Sequence, residues 1–313
     1  MSKIKIFQLG ILFLFISGIN VTAQTDYGWW CTIHHWDGHT SWLYYLKYSA
    51  KFFGPNALPV PDINKGFVGT QGTVEIAADG YFSKGDKPQD SYTKVYYPVV
   101  GKLIAIEGYV VPLEHFKMDT ATRDIRAARI KSGEGTAGGD IYFGTVIQLV
   151  KNKKFPDVAF RMTCRTASGT NVSAARYTDA PGYFFDLSMG KDFINEKLFF
   201  STIRLYGMIG FYCWQTNLDD HRQDDSFLYG AGIDFSSEKI MISASAGGYI
   251  GYIKDGDRPA VARLSLFRKG KHFNYGISGE LGLHDYQYKS LRLSLVYILP
   301  EKLMLKNSNQ KGN

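Results

Sequence analysis

Asp157-Val158-Ala159-Phe160-Arg161-Met162-Thr163-Cys164-Arg165-Thr166 is the stretch that decides how the chain is read. In an extended backbone, successive side chains point to opposite faces. Val158, Phe160, Met162 and Cys164 then share one face, and Ala159, Arg161, Thr163 and Arg165 share the other. A helix would need apolar residues at i, i+3 and i+4, and no such stripe recurs. The alternation returns downstream. Phe227, Tyr229, Ala231, Ile233 and Phe235 oppose Leu228, Gly230, Gly232 and Asp234. Phe273, Tyr275, Ile277, Gly279 and Leu281 oppose Asn274, Gly276, Ser278, Glu280 and Gly282, and Leu291, Leu293, Leu295 and Tyr297 oppose Arg292 and Ser294. Glycine inside most of these segments further disfavours helix.

Working outward, the pattern predicts strands near 73–82, 92–100, 102–113, 140–150, 157–166, 182–190, 197–213, 226–235, 239–250, 260–268, 272–283 and 290–299. Segments 92–113 and 140–150 alternate poorly. Strand 239–250 loses its phase at Gly247-Gly248, which predicts a bulge or bend there. The links alternate in length as well. Those near 100–102, 151–156, 191–196, 236–237 and 269–270 are short, and those near 83–90, 114–139, 167–181, 215–225, 252–259 and 284–289 are longer and polar. A soluble sandwich has no reason for this rhythm. A membrane barrel has tight turns at its periplasmic rim and long loops outside. The expected fold is all-β: a transmembrane, antiparallel up-and-down β-barrel of about 12 strands over residues 73–299, with about 14 as the alternative.

Composition sets the outer limits. The 313 residues carry 36 Lys+Arg, 29 Asp+Glu, 21 Tyr, 21 Phe, 33 Gly and 3 Cys. Three cysteines exclude a disulfide scaffold. A content of 15% aromatics with near-balanced charge excludes a disordered chain. Only one long apolar run is present, which excludes a polytopic helical membrane protein. The mean hydropathy of −0.17 looks like that of a soluble protein because it averages two faces. The apolar run is N-terminal: Lys3 and Lys5 precede residues 7–19, and Val21-Thr22-Ala23 supplies the small residues of a signal-peptidase site. Residues 1–23 therefore read as a secretory signal peptide, too short for the roughly 20 residues of a spanning helix. No Cys follows the cleavage point, which argues against a lipid anchor. Without Lys3 and Lys5 the formal charge falls from +7 to +5, too mild to argue for nucleic acid.

Residues 24–72 read differently. Trp42, Tyr44, Leu46, Tyr48, Ala50 and Phe52 alternate like a further strand, while Trp42, Tyr45, Leu46, Ser49 and Phe52-Phe53 share a helical face. Phe53-Gly54-Pro55-Asn56-Ala57-Leu58-Pro59-Val60-Pro61 then breaks regular structure. We read 24–72 as a periplasmic or luminal segment, folding into the lumen or capping the periplasmic mouth, with an additional strand pair as the competitor. Residues 300–313 form a polar tail.

The signal, the alternating aromatic strands and the short-turn, long-loop rhythm make the chain resemble Gram-negative outer-membrane β-barrels over roughly residues 73–299. It looks like a porin-like, uncharacterised family, and the stretch 53–61 is similar to a signature of such barrels without an attached activity. The resemblance implies residence in the cell outer membrane, contact with outer-membrane lipid, delivery by the barrel assembly machinery and passage of small hydrophilic solutes. One departure is the polar tail after Tyr297, where such barrels often end on an aromatic.

A cation on the lipid face at the bilayer midplane costs about 2–4 kcal/mol, so strand charges are expected to face inward. The inward acids are Glu75, Asp79, Asp186, Asp234 and Glu280, and the inward bases are Arg161, Arg165, Arg204, Arg263 and Arg292. These ten are the candidate pore-lining residues. They either pair and fill the lumen, as in a non-conducting structural or adhesive barrel, or face one another across a watered constriction. A twelve-stranded interior exceeds what side chains alone can fill, which favours a passive channel for small hydrophilic solutes. Tyr183, Tyr212, Trp214, Tyr252, Tyr286, Tyr288 and Tyr297 lie at strand ends and suit interfacial girdles. No enzyme activity is expected; an outer-membrane hydrolase using His221 or His284 is the minor alternative, and strand phase puts no Ser beside a lipid-facing His. Cys31, His34, His35 and His39 match no common zinc spacing, so neither metal nor cofactor is expected. The loop 219–225 reads as an exposed acidic loop without EF-hand spacing, and Cys164 and Cys213 are too far apart to bridge.

Overall fold

A computed structural model describes residues 26–151 and 154–300. The signal peptide read over 1–23, and all but the first residue of the 300–313 tail, lie outside them. One compact unit ends at Asp37 and contains a short helix, Gly28–Ile33. The second, from Gly38 onward, contains the sheet.

Among the described residues thirteen strands form: β1 (Thr73–Phe82), β2 (Gln89–Val100), β3 (Ile104–Lys117), β4 (Glu134–Ala137), β5 (Tyr142–Val150), β6 (Asp157–Arg165), β7 (Gly182–Ile194), β8 (Thr202–Gln215), β9 (Gln223–Ser236), β10 (Ile240–Ile250), β11 (Ala260–Arg268), β12 (Phe273–His284) and β13 (Lys289–Ile298). β1 pairs antiparallel with β13 from Thr73↔Ile298 to Phe82↔Lys289. β2 also pairs with β3, so the sheet closes on itself. Twelve strands make the wall. The short β4 only extends it, pairing with the end of β3 at Glu114↔Ala137. The alternative of fourteen is not what forms. Trp42–Tyr45 is a single 3-10 turn, and the stretch after it enters no ladder.

Burial along the wall is inverted relative to a soluble sheet. In β6, Ala159, Arg161, Thr163 and Arg165 are buried, whereas Met162 is 45% exposed. In β7, Asp186 is 0% exposed and Leu187 41%; in β8, Arg204 is 5% exposed and Ile209 57%. Charge inside and aliphatic side chains outside is stable only if the outside is hydrocarbon. No helix among the described residues is long and apolar enough to cross a membrane; this chain crosses with strands.

The segments that alternate poorly do so because they contain bulges. The registers shift between Ser91 and Thr93 and between Pro98 and Val100 in the β2–β3 pair, and between Gln148 and Val150 in the β5–β6 pair. An extra residue moves every later side chain to the opposite face. The bulge expected at Gly247-Gly248 is absent: both residues stay in register with β9 and β11. Those glycines make room instead. A Cβ on Gly247 would meet Ile63 Cδ1 at 3.4 Å, and one on Gly230 beside it would meet the same atom at 2.6 Å. The contrast in link length rests chiefly on 118–141 and 166–181 at the long-loop end, since the other links at that end are short.

Two expected outcomes test this architecture. Met162→Arg puts a cation on the lipid face and should cost about 2–4 kcal/mol in urea titrations of barrels refolded into lipid vesicles. Gly66 has φ +79°, and a Cβ there would stand 2.6 Å from Gly190 N. Gly66→Ala should therefore destabilise the barrel by at least about 1 kcal/mol in the same titration.

Candidate functional site

Residues 46–69 occupy the barrel interior. Their hydrogen-bond partners come from strands all round the wall. Trp214 Nε1 donates to Tyr48 O at 3.0 Å, Tyr249 OH to Leu58 O at 2.8 Å, Arg263 Nη2 to Val60 O at 2.6 Å and Arg161 Nη2 to Asp62 O at 2.7 Å. Arg165 Nη1 donates to Ala57 O. Arg204 Nε donates to Lys65 O at 3.0 Å. Gln148 reads the backbone both ways, donating to Gly66 O at 3.0 Å and accepting from Val68 N at 2.8 Å. Gly69 N donates to Tyr96 OH at 2.8 Å. Strands β2, β5, β6, β8, β10 and β11 all contribute, so the segment lies inside the ring they form. It runs from the long-loop end, where Gly54 N bonds Ala175 O at 2.9 Å, to the opposite rim where β1 begins.

The local sequence explains why this segment sits there. A chain inside a closed barrel has no sheet edge to join, so each backbone group needs another partner. Pro55, Pro59 and Pro61 bring no N–H. Ala57 O and Val60 O between them are met by guanidinium groups, which have donors in several directions, and Leu58 O by the Tyr249 hydroxyl. Gly66 reaches its close approach to Gly190 only because neither residue has a Cβ.

Six of the ten sequence-selected charges pair sideways with one another rather than across the lumen. Arg161 meets Asp186 at 2.6 Å, Arg263 meets Glu280 at 2.6 Å, and Arg292 grips Asp79 with two bonds of 2.7 Å. In each pair the two residues face each other on neighbouring strands. Arg204 and Asp234 are also opposite in register, yet Arg204 turns to Asp192 at 2.8 Å and Asp157 at 3.1 Å, while Asp234 takes Lys65 at 2.6 Å. Arg165 bonds carbonyls of Ala57 and Ala180. Glu75 accepts from Ser294 Oγ at 2.7 Å and has no ion-pair partner among the described residues.

Beside the luminal segment a cavity of about 540 Å³ remains. Arg161, Arg263, Arg292 and Glu280 line it, joined by Asp62, Glu75, Lys94, Glu107 and a row of tyrosines. Lys94 and Glu107, 3.0 Å apart, were missed because they lie on bulged strands whose phase cannot be counted across the bulge. Asp62 and Lys65 were missed because an irregular segment has no phase at all.

A second buried network closes part of the long-loop mouth. Asp86, Glu114 and Arg176 are each 0% exposed. Arg176 reaches Asp86 and Glu114 at 2.6 Å each, and Arg126 reaches Asp86 at 2.7 Å. Tyr288 OH donates to Asp86 at 2.5 Å and Tyr177 OH to Glu114 at 3.1 Å. Asn56 of the luminal segment donates to Glu114 at 3.1 Å and to Asp90 at 2.6 Å. Burial alone would raise the Asp86 carboxyl, but the Arg176 and Arg126 guanidiniums hold it below its ordinary range. Loops 83–88, 118–133 and 166–181 are thus tied to one another and to the luminal segment.

The aromatic girdle needs correction. Tyr183 and Tyr252 are exposed, at 39% and 46%, but Tyr212, Trp214, Tyr286 and Tyr288 are buried in the interior. Counting phase from Arg204 places Tyr212 and Trp214 inward, and counting from Arg292 does the same for Tyr286 and Tyr288. The signal was present. Trp214 Nε1 finds Tyr48 O and Tyr288 OH finds Asp86, whereas Tyr212 OH is buried without a hydrogen-bond partner. His221 contacts Asp220 at 3.0 Å and His284 contacts Arg258 O at 2.8 Å, and among the described residues neither ring has a hydroxyl partner. Cys31, Cys164 and Cys213 are unbridged. Among the described residues, Cys31, His34 and His35 form no three-donor group in their own unit.

No protein-family model matches the chain, and no curated protein does. Solved structures do. The COG4313 outer membrane channel from Pseudomonas putida F1 superposes with a TM-score of 0.51 at 10% identity, over 76% of this chain and 100% of that one. The NanC porin gives 0.45 at 9% identity over 72% and 100%, and the KdgM porin 0.44 at 8% over 72% and 99%. At these identities the likeness is one of fold. The chain folds as an outer-membrane β-barrel, with an apolar belt that needs a bilayer around it.

Proposed function

We propose that this barrel is a narrow passive channel for small hydrophilic solutes, with residues 46–69 as its internal constriction. The cavity beside that segment carries the reading. Its volume of about 540 Å³ falls within the roughly 300–1,000 Å³ of small-molecule sites, and its walls carry both signs of charge. Paired charges with fixed geometry can replace a polar solute's hydration without leaving a bare ion in the wall. Glu75 is a cavity-lining acid with no ion pair among the described residues; Lys94 stands opposite it in the β1–β2 register but reaches Glu107.

One observation favours the competing reading of a closed structural barrel: the luminal segment is hydrogen-bonded to strands on all sides. Conductance separates the two. In planar bilayers the wild-type barrel should give small discrete steps, and Arg165→Ala with Arg263→Ala, which frees the carbonyls of Ala57 and Val60, should enlarge them several-fold. Absence of steps in both proteins would establish the closed barrel. In a salt gradient, Glu75→Gln should shift the reversal potential toward anion passage with little change in stability. An unchanged potential would put Glu75 outside the conducting path.

A further inference from the structure

At the long-loop rim, three carboxylates from two parts of the sequence converge. Asp224 lies near the start of β9, and Asp255 and Asp257 lie in the loop 251–259. One carboxylate oxygen from each lies within 4.8 Å of the others. This is not an acidic patch facing water: Asp224 is 1% exposed and Asp257 0%. Backbone donors use only part of their capacity. Tyr252 N donates to Asp224 Oδ1 at 3.2 Å and Lys254 N to Asp257 Oδ2 at 2.9 Å. Asp224 Oδ2, Asp257 Oδ1 and Asp255 Oδ1 are shut off from solvent with no hydrogen-bond partner.

Neighbouring positive charge is thin. Arg258 Nε stands 4.0 Å from Asp257 Oδ1, on a side chain that is 41% exposed, and Lys47 acts on Asp255 only through its field. Asp86, equally buried, has two arginines within 2.7 Å. Buried carboxylates held together without a counter-charge are strongly disfavoured. Two of the carboxylates pack directly onto Gly251, where a Cβ would stand 2.4 Å from Asp257 Oδ2 and 2.7 Å from Asp224 Oδ2.

We propose that Asp224, Asp255 and Asp257 form a Ca²⁺ site that fastens the loop 251–259 to the head of β9. Oxygen-only donors select a hard cation, and ligands carried on an irregular loop suit the variable coordination of Ca²⁺ better than the strict octahedron of Mg²⁺. The same loop holds the top of the luminal segment, since Ser49 Oγ donates to Asp255 O at 3.1 Å and Lys51 N to Gly256 O at 3.3 Å. The cation would brace that contact from the outside.

The test uses the full chain refolded in detergent. Titration calorimetry with CaCl₂ should show one saturable site with Kd of about 10⁻⁴ to 10⁻³ M, the range of extracellular Ca²⁺ modules. Ca²⁺ should raise Tm by several degrees, a chelator should reverse the rise, and Mg²⁺ at equal concentration should give less. Terbium should bind the same site and luminesce when the nearby tyrosines are excited. Asp224→Asn with Asp257→Asn should abolish the calorimetric and terbium signals, while Asp219→Asn in the adjacent acidic loop should leave them unchanged. Absence of a Ca²⁺ response in the wild-type protein would overturn the proposal even if the double variant does not fold. So would a full response in the double variant, or an equal response to Mg²⁺.

Discussion

Inside this barrel, wall arginines donate to the backbone carbonyls of a chain that can join no sheet. Arg161 gives Nε to Asp186 and Nη2 to Asp62 O; Arg263 gives Nε to Glu280 and Nη2 to Val60 O; Arg204 gives Nη1 to Asp192 and Nε to Lys65 O. Each guanidinium spends one edge on a neighbouring carboxylate and another on the luminal segment. The acid neutralises and orients, and the arginine carries the backbone. A lysine, with one compact ammonium, cannot divide itself this way.

Several features follow from that constraint. The near-balance of inward acids and bases reflects lateral pairing on neighbouring strands, not two opposed walls. The prolines of 55–61 reduce the number of N–H groups needing partners where few acceptors are available. Gly230, Gly247 and Gly190 are thin spots in the wall where the segment approaches. What is left of the interior is a side chamber, polar because the same paired charges face it.

The long-loop rim treats buried carboxylates in two ways. Asp86 and Glu114 are neutralised by arginines from two loops, and the mouth is locked there. Asp224 and Asp257 are as deeply buried but lack comparable cations. The rim thus contains one electrostatically complete clasp and one that is short of positive charge.

The wall was legible in the sequence because strand alternation is a local property. It depends on covalent geometry and on what lies to each side, so β1 and β11 could be bounded as 73–82 and 260–268, and the charged face of β6 could be told from its lipid face. Tyr212 and Trp214 obeyed the same count from Arg204. Counting failed where a bulge intervened, which hid Lys94 and Glu107, and where no ladder exists, which hid the roles of Asn56, Asp62 and Lys65. Only the closed tertiary structure decided which arginine meets which carbonyl. Those contacts join residues about a hundred or more positions apart, across a lumen whose width is set by closure of the twelve strands, and no local period encodes that distance.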